Sequence, residues 1–130
     1  AMDNPETVKI GGSAVEGFLH TTFPYDMNMA NMNEAAKTFT ASWKATYPDK
    51  DPNVNAALGY NCYMMFMKAI QTAGSDDREA ITKALAEIKD LPTVLGMLTI
   101  NATHDAEMPI GVIEIKDGKR SYLGEVQPEM

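Results

Sequence analysis

Apolar residues crowd every side of one stretch of this chain. Between Asn53 and Ala73 the residues Val54, Leu58, Tyr60, Tyr63, Met64, Met65, Phe66, Met67 and Ile70 fall at all helical phases, and Lys68 is the single charge. A surface helix keeps a polar stripe at 3.6-residue spacing, whereas one that is apolar all round has to be covered on more than one side. Asn53, Asn55 and Asn61 make the segment too polar, and its apolar run is too short, to span a bilayer. The pattern predicts a central, buried helix over 53–73. Asp51 is its expected cap, Pro52 its first position, where a missing N–H costs nothing, and Gly74 its left-handed stop.

Two further helices carry a one-sided pattern. Over 31–46, Ala35, Phe39, Ser42/Trp43 and Thr46 mark one face, with Asn31 and Glu34 in a capping-box relation and Pro48 beyond the end. Over 77–89, Ala80, Ile81, Ala84, Leu85 and Ile88 face inward while Arg78, Lys83, Glu87 and Lys89 face out. Asp76 with Glu79 opens this helix and Leu91-Pro92 stops it.

The remaining segments read as extended or as loop. The opening AMDNPETVKIGG is expected to be a polar loop, with Gly11-Gly12 turning into a strand over 15–22. Pro24 forces Phe23 out of helical geometry. Val94 to Ile100 reads as one extended run. Near the end, Asp117-Gly118 is the pair that a type I′ turn needs, because both central positions have φ > 0. The resulting hairpin sets Ile113 opposite Tyr122 and Val112 opposite Leu123. Strand, three helices, strand and hairpin in this order exclude a simple meander and place the chain in the α/β or α+β class.

Composition narrows the function without naming it. The chain has 130 residues, enough for one modest core, and a net charge of −7. Lys116, Lys119 and Arg120 are its densest basic group, so a nucleic-acid partner is excluded. Ten methionines suit adaptable core filling. Cys62, alone, forms no internal bridge and sits in an apolar run without a neighbouring cation, which is the setting of inert packing. His20 and His104 are far apart in sequence, with no carboxylate pattern round either. Ser13 lacks a nucleophile elbow, Gly11-Gly12 opens no phosphate cradle, and Glu107, Glu114 and Glu125 are scattered. The residues therefore predict no catalytic centre, no metal site and no cofactor. The opening also lacks the basic and apolar regions of a signal peptide, so a mature or truncated piece of a longer protein is expected.

Three phrases taken in order, VKIGGSAVEGFLHTTF at 8–23, ALGYNCYMMFMKAIQTAGSDDREAITKALAEIKD at 57–90 and GMLTINATHDAEMPIGVIEIKDGK at 96–119, resemble the C-terminal portion of the periplasmic branched-chain amino-acid-binding proteins. These are substrate-binding proteins of ABC transporters with the type I periplasmic-binding, or Venus-flytrap, fold, in which a ligand sits between two α/β lobes. The resemblance implies the C-terminal part of that fold: three helices between short strands, then a hairpin. Residues 1–23 would be a strand and crossover of one lobe, 24–100 the helical part of the other, and 101–130 a crossover and hairpin returning to the first. It also implies a cleft wall made of Phe23, Tyr25, Ala57 and Tyr60, the polar grips on the ligand coming mainly from upstream segments. Tyr60-Asn61-Cys62 stands where the family often has Tyr-Asp-Ala.

The function implied is binding of a small amino acid or related carboxylate for delivery to ABC permease subunits, in the periplasm or extracellular envelope. The piece itself is expected to self-associate or to pair with its missing N-terminal portion. Two alternatives stand beside this reading: a ligand-sensing receptor domain of the same fold, and a small acidic enzyme or regulatory domain complete in itself.

Overall fold

The computed structural model describes residues 5–26 and 32–127. In chain order the elements are helix α1 (Pro5–Gly11), a 3-10 turn (Gly12–Val15), β1 (Leu19–Thr22), α2 (Glu34–Thr46), α3 (Val54–Ala73), α4 (Arg78–Ala86), β2 (Leu91–Thr93), β3 (Gly96–Ile100), β4 (Ala106–Glu107), β5 (Ile110–Lys116) and β6 (Lys119–Val126). They fall into two compact units, Ala1–Pro24 with Pro109–Met130, and Tyr25–Met108.

The first unit is a three-stranded antiparallel sheet in the order β1-β5-β6, accompanied by α1 and the 3-10 turn. From Pro5 on the opening is a helix and not the expected polar loop, with Glu6 in its first turn and Lys9 in its last, each on the side that the helix dipole favours. The expected strand over 15–22 shrinks to Leu19–Thr22, because Gly12, at φ 51°, opens a 3-10 turn that takes up Val15. Ile113 and Ile115 point to the buried side of the sheet, as alternation along a half-buried strand requires.

The hairpin forms with Asp117 and Gly118 at φ 52° and 66°. Glu16 seals its turn, its carboxylate oxygens accepting from Asp117 N at 2.6 Å and Gly118 N at 3.1 Å. Ile113 faces Tyr122, but Val112 faces Gly124 instead of Leu123. A bulge between Val112 and Ile113 shifts the register there, and Gly124, at φ 156°, lies on the shifted side. Gly111 is closely hemmed in: a Cβ there would stand 3.0 Å from Tyr122 Cε2 and 3.2 Å from Pro24 Cα.

The second unit packs α2, α3 and α4 with a small sheet of order β2-β3-β4. All three helices begin on a side chain that accepts from the N3 amide: Asn33 from Ala36 N, Asn53 from Ala56 N and Asp77 from Ala80 N. These replace the expected caps Asp51 and Asp76; Asn31, the third expected cap, lies outside the described residues. Gly74 ends α3 at φ 62°, as expected. Helix α4 stops at Ala86, short of the expected 89, because Ile88 turns in to pack with Leu98 and Ile100 and its carbonyl accepts from Ile100 N at 2.9 Å. Met65, Leu85, Leu91 and Met108 surround that cluster.

Helix α3 departs most from expectation. Its buried positions are Ala57, Asn61 and Ala69, a stripe of small residues at i, i+4 and i+12 that lets its neighbours approach closely. The large apolar residues lie elsewhere: Tyr63 and Phe66 are 56% and 54% exposed, and Tyr60, Met67 and Ile70 are exposed too. Within this chain α3 is therefore not a centrally buried helix. The elements that pack on it, α2, α4 and β2, cover one stripe of a surface that is apolar on several.

Candidate functional site

An aromatic wall runs across α2 and α3. Phe39 and Trp43 of α2 and Tyr47, which caps its C-terminal end, follow one another at four-residue spacing, and their rings meet at 5.9 Å and 5.0 Å. Tyr60 of α3 meets Phe39 in a tilted pair at 5.2 Å and Tyr63 continues the row at 5.7 Å. Tyr25, just ahead of α2 in sequence, meets Phe39 edge to face at 5.7 Å.

Tyr25 is buried, and its hydroxyl lies 2.9 Å from Thr40 Oγ1. Thr40 Oγ1 donates to Ala36 O at 2.8 Å, which leaves its lone pairs to accept from Tyr25. Burial pushes the Tyr25 phenol above its ordinary range, and the carboxylates of Asp26 and Asp51 push the same way. Asp51 itself pairs with Lys44.

The structure thus brings two of the four candidate wall residues, Tyr25 and Tyr60, onto one aromatic cluster through Phe39. Ala57 sits one turn before Tyr60, wholly buried. Phe23 belongs to the other unit. Phe39, Trp43 and Tyr63 are additional members that sequence reasoning passed over, although the spacing of Phe39, Trp43 and Tyr47 along α2 was a readable signal. The cluster offers flat, uncharged faces and four phenol groups, those of Tyr25, Tyr47, Tyr60 and Tyr63. Such a surface covers an apolar or aromatic side chain well, and it has no charge with which to hold an ammonium or carboxylate.

A separate cavity of about 270 Å³ lies between α3 and α4, lined by Cys62, Met65, Phe66, Leu85, Ile100 and His104 among others. Cys62 is exposed here, not packed as its apolar neighbours suggested. Among the described residues no cluster of three or more His, Cys, Asp or Glu could hold a metal ion, and no helix is long and apolar enough to cross a membrane.

Asn61 makes its contacts inside the fold. Its side chain is buried and bonds Thr93 and Val94 at the turn between β2 and β3. The stretch expected as one extended run over 94–100 is broken by that turn at Val94-Leu95.

Fold and sequence agree on a class: residues 1–120 match the family described as periplasmic binding protein, and the chain belongs to that family. Its relatives are branched-chain amino-acid-binding proteins of the type I periplasmic-binding fold. The Leu/Ile/Val-binding protein homolog 1 of Brucella suis is 30% identical over 123 residues, 91% of this chain and 31% of that protein. The leucine binding protein LivK of Thermotoga maritima is 36% identical with a TM-score of 0.81, over 97% of this chain and 35% of that one. LivJ of Streptococcus pneumoniae, solved in complex with isoleucine, shares the fold at a TM-score of 0.76 and 21% identity, over 98% of this chain and 35% of that one. The chain spans about a third of the length of the relatives it matches.

Proposed function

We propose that this chain is part of the solute-binding component of an ABC transporter, which takes a small amino-acid-like ligand between two lobes and presents it to permease subunits. The observation that carries the reading is the likeness to leucine-binding LivK at 36% identity along 97% of the chain. In the same reading the two compact units contribute to different lobes. Within the second unit Tyr60 presents an apolar wall, while Tyr25 and Ala57 back it from behind. Nothing in the aromatic cluster favours a charged side chain, so leucine, isoleucine, valine or an aromatic acid is the substrate class. The protein works in the periplasm or extracellular envelope, where such a ligand is met before uptake.

Thermal-shift measurements on the full-length protein test this directly, because a ligand that binds only the native state raises Tm by mass action. Leucine, isoleucine, valine and phenylalanine are expected to stabilise it. Tyr60→Ala is expected to weaken binding by roughly tenfold or more, the loss of one aromatic contact face. Stabilisation by a sugar or a metal ion, with none by amino or carboxylic acids, would overturn the reading.

A further inference from the structure

The turn joining β2 to β3 is buried: Val94 and Leu95 are both 0% exposed. Chain reversals normally lie at the surface, because their backbone groups need water or another partner. Here side chains supply those partners. Val94 N donates to Asn61 Oδ1 at 3.1 Å, and Leu95 N donates to Thr93 Oγ1 at 3.2 Å. A backbone N–H can only donate, so the oxygen of Asn61 must face Val94 and its Nδ2 must face Thr93, where it donates to Oγ1 at 2.8 Å. The one proton of the Thr93 hydroxyl goes to Gly96 O at 2.7 Å. Thr93 Oγ1 is then an acceptor toward both Asn61 Nδ2 and Leu95 N, and the directions of these bonds are mutually consistent. The group reaches a third element as well: Asn33, which caps α2 through Oδ1, donates Nδ2 to Thr93 O at 3.1 Å.

We propose that Asn61 is a positioning residue whose amide, matched to the Thr93 hydroxyl, locks the middle of α3, the start of α2 and the buried turn at Val94-Leu95 into one rigid junction. By tying α2 to α3 it also sets the spacing across which the rings of Phe39 and Tyr60 meet. The match is chemically selective. A carboxylate at position 61 could accept from Val94 N, but it would either confront the lone pairs of Thr93 Oγ1 or draw that hydroxyl's one proton away from Gly96 O and leave the carbonyl without its donor. A protonated carboxyl could again do both. Thr93 and Val94 are uncharged. The charged side chains of the elements packed on α3, namely Glu34 and Lys37 of α2 and Arg78, Glu79 and Lys83 of α4, are exposed, and Lys44 pairs with Asp51.

The test is peptide-resolved hydrogen exchange on the full-length protein carrying Asn61→Asp, Thr93→Ser or Thr93→Val, over a range of pH. At neutral pH, N61D is expected to expose the amides of 93–96 and of the first turn of α2 roughly tenfold or more, the effect of leaving buried polar groups unpaired. Relative to the parent at the same pH, that difference should close as the solution is acidified through the carboxylate range. T93S keeps the hydroxyl and should stay close to the parent, while T93V should lose protection at every pH. If N61D is too unstable to fold at neutral pH, the same reading requires it to fold on acidification. An N61D protein protected like the parent at neutral pH, a deficit that does not depend on pH, or equal behaviour of T93S and T93V would each overturn the proposal.

Discussion

At the scale of single residues, the wall owes its order to hydrogen bonds as much as to ring contacts. Tyr25 is held by Thr40, whose hydroxyl in turn holds Ala36 O one turn earlier on α2. Because burial raises the Tyr25 phenol above its unfolded value near 10, the folded state keeps that proton to higher pH than the unfolded chain does. Its contribution to stability is therefore complete below about pH 10 and is lost as pH rises through the raised folded value. Tyr122, likewise raised by burial and then by Glu125, acts with the same sign in the other unit. Tyr25→Phe is expected to flatten the alkaline loss of stability without abolishing it, and to cost about 1 kcal/mol at neutral pH through the bond lost to Thr40. Urea unfolding across neutral to strongly alkaline pH checks both effects. An alkaline slope equal to the parent's would show that Tyr25 does not contribute to it.

At the scale of elements, local chemistry decides where pieces begin and turn, and much of it was legible. Gly74 closing α3 and Asp117-Gly118 turning the hairpin are residues chosen by backbone conformation, and they sit where their chemistry says they should. Gly118→Ala is expected to lose about 1 kcal/mol, since φ 66° forces a Cβ against the carbonyl that follows. Glu16→Ala is expected to weaken the same turn by removing the acceptor for two amides. Amide exchange at 117–118 reports both, and unchanged protection in the Glu16 variant would deny the carboxylate its role. Helix caps were harder to read, because Asn, Asp and Ser residues cluster ahead of each helix and neighbouring candidates differ by one or two positions. Asn53 and Asp77 prevailed because their side chains reach the N3 amide.

At the scale of the whole molecule, the exposed apolar face of α3 is the chief consequence of the architecture. Tyr63, Phe66, Met67 and Ile70 leave apolar surface in water at about 25 cal/mol per Å². The 130-residue chain, purified alone, is therefore expected to associate through this face. Phe66→Lys should shift it toward the monomer in light scattering. Association that is indifferent to that substitution would place the contact elsewhere.

The sequence by itself determined the three long helices, the terminal hairpin and the kinship with periplasmic binding proteins, because each rests on local spacing or on ordered local phrases. It also identified Tyr25 and Tyr60 as aromatic candidates, though not the Phe39 ring that joins them. Tertiary structure alone decided which side of α3 is covered. A helix apolar on every side carries no phase to mark its inner face, and the small stripe of Ala57, Asn61 and Ala69 became the buried one because α2, α4 and β2 could come closest there. It alone decided, too, that two apolar residues make a turn. Val94 and Leu95 are themselves apolar; Gly96, at φ 103°, completes the turn, and it can be buried because Asn61 and Thr93, thirty-two positions apart in the chain, meet to satisfy its backbone.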